Sequence, residues 1–222
     1  MTILDQLSSQ TGDRSEASNQ LVAGQCLENP ALLDDIAAGL ESQDARLLGD
    51  CAEVMTMVAQ ERPERIAPYA ETLAGLLGHK KARVRWESMH ALALIAAYAD
   101  PVIEPLLPTL RQHIHTDKSV ITRDYAVVAI GNYAGVGARE AGQAYPILIE
   151  ALTVWAGKHA KLALNGLANV VAHTPALAPE IRDRAKPFLD APKKVVQQAA
   201  RRLLKRLPAP HQPSGRPPKN KR

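Results

Sequence analysis

A segment with helical periodicity recurs five times along this chain at nearly constant spacing. In its clearest copy, Lys80–Ala97, apolar or small residues return every three or four positions, as at Val84, Ser88 and Leu92. Successive copies, aligned on the residue that closes each one, begin 37, 38, 38 and 35 residues apart. A repeat of this length holds two helices and buries its apolar faces only by stacking on its neighbours. The aligned segments are Glu41–Ala59, Gly78–Ala96, Thr116–Ala134, Val154–Ala172 and Leu189–Leu207.

The composition favours helices packed on helices. Apolar residues make up 46% of the chain and aromatic residues only 4%, so small and aliphatic side chains must fill the core. No stretch shows the alternation of β-branched and aromatic residues that is typical of strands. Each unit is expected to begin with a first helix opened by a proline, whose missing N–H is not needed in the first turn. These prolines are Pro30, Pro68, Pro105, Pro146 and Pro179.

Three regions follow from this pattern. Residues 1–29 are predicted to form an N-terminal helical cap, because Asn29-Pro30 breaks the first helical pattern. Residues 30–207 form the repeat solenoid. Residues 208–222 hold five prolines and four Lys or Arg, a composition that cannot pack a core and predicts a disordered basic tail.

The second helix of the repeat resembles that of HEAT repeats, particularly the short bacterial kind, and more broadly the armadillo-type α-solenoids. The best match is Val84-Arg85 followed by Ala91-Leu92. The resemblance spans about residues 30–207 and implies an all-α fold, a right-handed α-solenoid of about five HEAT-like two-helix repeats. It also implies a scaffold for proteins or nucleic acids, since few members of this family are enzymes. Partial matches are Asp44-Ala-Arg46-Leu47 and Thr122-Arg123, while Ala160-Lys161 and Val195-Val196 depart from the pattern.

Cysteine usage and the absence of a targeting pattern predict a cytoplasmic protein with no membrane partner. Cys26 and Cys51 both lie in apolar helical sequence, where a thiol behaves as a small hydrophobic group. The first residues lack a basic stretch followed by an apolar one, and no run of about 18 apolar residues is present.

The net charge of +4 conceals a gradient along the chain. Residues 1–100 carry 8 Lys or Arg against 15 Asp or Glu, and residues 179–222 carry 13 against 3. Such polarity would orient the molecule on a polyanion or on a partner of opposite charge, although it is equally typical of solvated surface.

Basic residues recur at the turns between first and second helices, which should align along one edge of the solenoid. This basic edge suits a phosphate backbone or an acidic protein surface. The alternative interpretation is that turn lysines serve only solubility. The predicted basic edge comprises Lys80, Lys81, Arg83, Lys118, Lys158, Lys193 and Lys194.

Polar positions of the second helices are expected to line the concave face and contact a partner. Trp86 and His90 stand one turn apart on the same side of a helix, beside Arg85. An exposed tryptophan of this kind is typical of a protein-binding anchor, whereas a packed one would merely cover the next repeat. The predicted contact residues are Arg85, Trp86, His90, Arg123, Asp124, Asn132, Lys161, Asn165 and Asn169.

Metal, cofactor and catalytic signals are weak. His113-Ile-His115 points two rings to opposite sides of a helix, so no metal site is predicted, and no cofactor or small-molecule ligand is expected. The glycines of Gly131-Asn-Tyr-Ala-Gly135-Val-Gly137 fit no phosphate loop. Gly131 is instead expected at a close helix crossing, with Gly135 and Gly137 left-handed at the helix end.

The sequence thus predicts a non-enzymatic scaffold that binds a protein partner through its concave face and basic edge. A nucleic-acid binder using the basic edge and tail is the alternative. A further variant is a glycosylase that releases alkylated bases from DNA, since such enzymes are built on HEAT-like helices. Trp86, Arg123 and Asp124 would take the functional positions in that case.

Overall fold

Residues 2–208 are described by a computed structural model in which helices follow one another without any strand. Four short 3-10 turns supplement the α-helices, at Leu4–Gln6, Ala67–Tyr69, Pro175–Leu177 and Lys186–Asp190. The α-helices are α1 (Ser8–Thr11), α2 (Ala17–Glu28), α3 (Leu32–Gly39), α4 (Ala45–Glu61), α5 (Pro63–Ile66), α6 (Ala70–Gly75), α7 (Ala82–Ile95), α8 (Asp100–Thr116), α9 (Val120–Tyr133), α10 (Ala138–Ala151), α11 (Val154–Gly157), α12 (Ala160–His173), α13 (Ala178–Ala185) and α14 (Lys194–Arg206).

The second helices of the five repeats form one row. Helix α4 packs on α7, α7 on α9, α9 on α12 and α12 on α14, while α2 packs on α4 at the start of the row. The first helices α3, α6, α8, α10 and α13 pack against this row. The molecule is therefore an all-α solenoid, as the repeat spacing predicts. We call the surface formed by α2, α4, α7, α9, α12 and α14 the second-helix face.

One aliphatic core runs through the described residues. It begins with Ile3 and Leu7, includes both buried thiols, Cys26 and Cys51, and ends with Leu207. The cap shares this core, and the boundary between residues 29 and 30 stays a prediction. The predicted tail lies outside the described residues, apart from Pro208.

Only some of the first helices begin at the proline that the sequence predicts. Pro179 lies in the first turn of α13, but Pro105 lies inside α8 and Pro146 lies inside α10. Those two helices begin earlier, at Asp100 and Ala138. Pro105, Pro146 and a third interior proline, Pro108 of α8, are all exposed, so water can solvate the carbonyl that each proline leaves without a backbone donor.

Gly131 of α9 permits a close approach of α9 to α12. A Cβ added there would lie 2.9 Å from the Cα of Gly166 in α12, well inside van der Waals contact. The close crossing predicted at Gly131 is thus confirmed. The left-handed conformations predicted for the next two glycines are wrong, since only Gly12 and Gly157 have positive φ among the glycines described. Gly137 is instead extended, with φ −178° and ψ −175°, immediately before α10.

Replacing Gly131 with alanine tests whether this contact sets the helix spacing. Overpacking of a close crossing costs about 1–3 kcal/mol, so Gly131→Ala should lower the free energy of unfolding measured in urea. Gly142→Ala is the matched control, because Gly142 is also helical but a Cβ there meets nothing within 4 Å. The control should gain up to about 1 kcal/mol from helix propensity. Equal effects of the two substitutions would contradict a tight crossing.

Candidate partner-binding site

A cavity of about 490 Å³ opens on the second-helix face between α2, α4, α7 and α9. Its volume is within the usual range for pockets that hold a ligand or an anchoring side chain. Aromatic and acidic side chains both line it. Those that matter below are Glu16, Glu53, Trp86, Glu87, His90 and Tyr125.

The aromatic wall is built from α7 and α9. Trp86 and His90 lie one turn apart on α7 and both line the cavity. The ring of His90 stacks on Tyr125 of the next repeat, with centroids 3.8 Å apart and an angle of 10° between the planes. Burial lowers the pKa of His90 to about 4, so the imidazole is uncharged at neutral pH and the wall is aromatic and uncharged.

Glu87 is the unusual residue of the cavity. Its side chain is only 2% exposed, and its Oε1 atom has no hydrogen-bond partner among the described residues. Burial is the main cause that raises the pKa of Glu87 to about 8. The nearby carboxylate of Glu53 raises it further, whereas Arg83 lowers it. A carboxyl group that is buried and incompletely bonded is costly in a fold, and such groups cluster at functional sites.

A second cavity of about 690 Å³ adjoins the first and shares Glu16, Glu53, Trp86 and Glu87 with it. Arg83 lies there and pairs with Asp50 at 2.7 Å and with Glu53 at 3.0 Å. Burial alone would raise the pKa of Asp50, but hydrogen bonds from Ser9 and Arg83 lower it.

Arg83 therefore does not act as a free cation of the basic edge, because two carboxylates of α4 already bind its guanidinium. Its place in the predicted basic edge stays a prediction.

The two arginines predicted to contact a partner are occupied within the fold. The side chain of Arg85 is 16% exposed, binds both carboxylate oxygens of Asp117 and also donates to the carbonyl of His79. Arg123 is 3% exposed and donates to the carbonyl of Asp117 and to His159 Nε2. The expectation that both face a partner is corrected, since they link the turns of successive repeats instead.

Trp155 explains why Arg123 is covered. Its indole ring lies 4.1 Å over the Arg123 guanidinium, and its Nε1 donates to the carbonyl of Ile114 at 2.9 Å. Trp155 and Ala156 adopt left-handed conformations with φ 52° and 55°, which are costly for residues with a side chain. Because His159 Nε2 accepts from Arg123, its Nδ1 donates to Asp124 at 2.6 Å.

This arrangement also separates the three residues that the glycosylase alternative requires. Trp86 lines the cavity, whereas Arg123 and Asp124 do not line it and bond to His159. The structure does not bring these residues together into one site.

The predicted asparagine contacts divide into two groups. Asn132 donates to the carbonyl of Ala93 and Asn169 to that of Gly131, both at 2.8 Å, so these amides tie each second helix to the preceding one. Asn165 is exposed and lines a separate groove of about 320 Å³ beside α14. Lys161 is exposed at the start of α12. Their roles in binding stay predictions.

The lysines of the basic edge are all exposed. None of them forms an ion pair with another described residue. They are Lys80, Lys81, Lys118, Lys158, Lys193 and Lys194.

Sequence reasoning identified Trp86 and His90 but missed the acidic half of the cavity. The available signal was the repeat alignment itself, which places Asp50, Glu87 and Tyr125 in one column. That column directly precedes the small-residue column of Cys51, Ser88 and Ala126, so its side chains lie at the edge of the helix contact. A carboxylate at such a position is expected to be buried.

Residues 2–208 offer neither a cluster of metal ligands nor a membrane-spanning helix. No group of three or more His, Cys, Asp or Glu side chains in that range is placed to hold a metal ion. None of the helices described there is long and apolar enough to cross a membrane.

The pH dependence of stability tests the environment of Glu87. Its pKa is 4.5 by reference and about 8 in the fold, so the unfolded state loses the proton first as pH rises. Wild-type stability should therefore fall between about pH 4.5 and 8 through this group. Glu87→Gln removes the penalty, and its melting temperature should exceed that of the wild type more at pH 9 than at pH 5.

Glu71→Gln is the matched control for this measurement, because Glu71 is an exposed glutamate in the first turn of α6. Thermal melts followed by circular dichroism should show the same pH dependence for this control and the wild type. A Glu87→Gln variant with an unchanged pH dependence would show that Glu87 ionises normally in the fold.

No family model matches the chain, and no curated protein matches it. Solved structures of designed helical-repeat proteins are similar to it. A designed armadillo repeat protein in complex with the peptide (KR)4 superposes with a TM-score of 0.72 at 17% identity, covering 93% of this chain and 98% of that one. A second designed armadillo repeat protein gives a TM-score of 0.68 at 20% identity over 92% and 90% of the two chains. An engineered protein superposes with a TM-score of 0.65 at 19% identity, covering 93% of this chain and 97% of that one. At these identities the likeness establishes the fold alone, which is a helical-repeat solenoid of the armadillo and HEAT type.

Proposed function

We propose that this chain is a non-enzymatic cytoplasmic scaffold that binds an extended segment of a protein partner along its second-helix face. The segment is anchored in the cavity lined by Trp86, His90 and Tyr125. The exposed lysines of the basic edge flank that face and steer acidic parts of the partner.

The observation that carries this proposal is the cavity itself. A half-buried tryptophan beside a stacked aromatic pair offers a large, rigid contact surface, and such residues dominate the binding energy of protein interfaces. Tryptophan, histidine and tyrosine come from two successive repeats, so a segment running along the row would contact both.

The comparison with solved structures supports the binding of a peptide. The designed armadillo repeat protein of similar fold is in complex with a peptide. Helical-repeat solenoids present long continuous surfaces on which an extended chain can lie, because each repeat adds one further row of side chains.

Nucleic acid remains the second candidate because the lysines of the basic edge are exposed. Phosphates would be repelled by the carboxylates of Glu16 and Glu53 in the cavity, so nucleic acid would be confined to the edge. Gel-shift titrations at two salt concentrations separate the candidates, since phosphate contacts weaken steeply with salt.

Peptide selection tests the proposed function. Random 12-residue peptides displayed on phage are selected against the full chain, and the selected sequences are synthesised and titrated by fluorescence anisotropy. We expect them to bind at least tenfold more weakly to Trp86→Ala than to the wild type. The reason is that truncation of a central aromatic anchor typically costs about 2 kcal/mol or more.

Tyr98→Ala is the control variant, because Tyr98 is 55% exposed and does not line the cavity. It should bind the peptides as the wild type does. The proposal fails if no peptide is selected, or if the selected peptides bind Trp86→Ala with unchanged affinity while circular dichroism shows both variants folded.

A further inference from the structure

The carboxyl group of Glu87 has one oxygen atom without a hydrogen-bond partner. Oε1 is buried, no described residue bonds to it, and Glu87 lines the cavity. The neighbouring donor of α4, the Thr56 hydroxyl, binds the backbone carbonyl of Glu87 at 3.3 Å instead. A ligand group that brings an N–H to this oxygen would satisfy it.

The surroundings of this oxygen are negative. Glu16 and Glu53 line the same cavity, and Arg83 is already held by Asp50 and Glu53. Residues 1–100, which supply all of the lining except Tyr125, carry 8 Lys or Arg against 15 Asp or Glu. The cavity therefore favours a group with positive charge.

The cavity also offers flat aromatic faces. Trp86 lies beside the stacked pair of His90 and Tyr125. Aromatic faces attract cations, and they stack best on the planar guanidinium group. Burial lowers the pKa of His90 to about 4, so this wall brings no competing positive charge at neutral pH.

We propose that the cavity binds the guanidinium group of an arginine side chain, with Glu87 accepting its N–H donors while the ring of Trp86 or Tyr125 covers its plane. The inference rests on the proposed function, because the arginine belongs to the bound partner segment. Guanidinium suits this cavity better than ammonium does, since it is less strongly hydrated and donates from a rigid plane to a carboxylate.

A charge series of peptides tests this inference. The probes are the octapeptide (KR)4, the same peptide with every arginine replaced by citrulline, and an octapeptide of lysine. Citrulline keeps the shape of arginine and removes its charge. Anisotropy titrations of the full chain should show (KR)4 binding at least tenfold more tightly than the citrulline peptide and more tightly than the lysine peptide.

Two protein variants test whether the preference for arginine arises at the cavity. In Glu87→Gln the preference for (KR)4 over the citrulline peptide should fall severalfold. In Glu71→Gln, which makes the same substitution at the exposed start of α6, the preference should be kept. Circular dichroism checks that both variants are folded.

Several outcomes would overturn the inference. Equal binding of (KR)4 and the citrulline peptide would exclude recognition of the charge, and equal binding of the lysine peptide would exclude a preference for guanidinium. Equal losses of this preference in the two glutamate variants would mean that the overall negative charge of residues 1–100, and not the cavity, attracts the peptide. If these occur while phage-selected peptides still depend on Trp86, the proposed function stands without the arginine. If no peptide binds at all, both fail.

Discussion

Each second helix of this chain packs directly on the next through small residues, and this stacking fixes where the polar side chains between the helices lie. Gly131 and Gly166 meet where a methyl group would not fit. Ser88 and Ala126, which belong to the small-residue column of Cys51, are fully buried. Because the helices come so close, residues beside these columns cannot turn away from the contact. Glu87 precedes Ser88 and is buried for that reason.

The turns are held by a separate set of polar contacts. Arg85 binds Asp117 of the next repeat, and Arg123 binds the carbonyl of the same Asp117. Burial alone would raise the pKa of Asp117, but hydrogen bonds from Arg85, Ser119 and His113 lower it. Removing one partner of such a buried pair typically costs about 3–5 kcal/mol. The arginines that resemble the HEAT pattern thus serve the stacking of repeats.

The repeat spacing sufficed to predict the architecture, because stacking two-helix units leaves few other ways to bury their apolar faces. The position of Trp86 beside His90 was predictable for a similar reason, since residues four apart share one side of a helix. The first residue of each helix was harder to predict. Pro105 and Pro146 are strong local signals for a helix start, yet α8 and α10 begin several residues before them.

The wrong or missing predictions for residues of the candidate site have a common physical cause. Arg123 was predicted to contact a partner, but Trp155 and His159 of the next repeat cover it. Glu87, for which nothing was predicted, is buried as well. Trp155 covers Arg123 only because its own turn is left-handed, and no residue pattern near Arg123 encodes that turn. The acidic cavity likewise combines α2, α4 and α7, whose side chains meet only after the repeats have stacked.

The proposed binding of arginine depends most on the state of the Glu87 carboxyl group, which carbon-13 nuclear magnetic resonance can measure directly. Side-chain carboxyl shifts of the full chain would be followed from pH 4 to pH 10, with Glu87→Gln used to assign the signal. We expect a midpoint near pH 8 for the free protein. We also expect a clearly lower midpoint when (KR)4 is bound, because a bound guanidinium favours the ionised form. A midpoint near pH 4.5, the ordinary value for glutamate, or one that the peptide leaves unchanged would contradict both the burial of this carboxyl group and its role in binding.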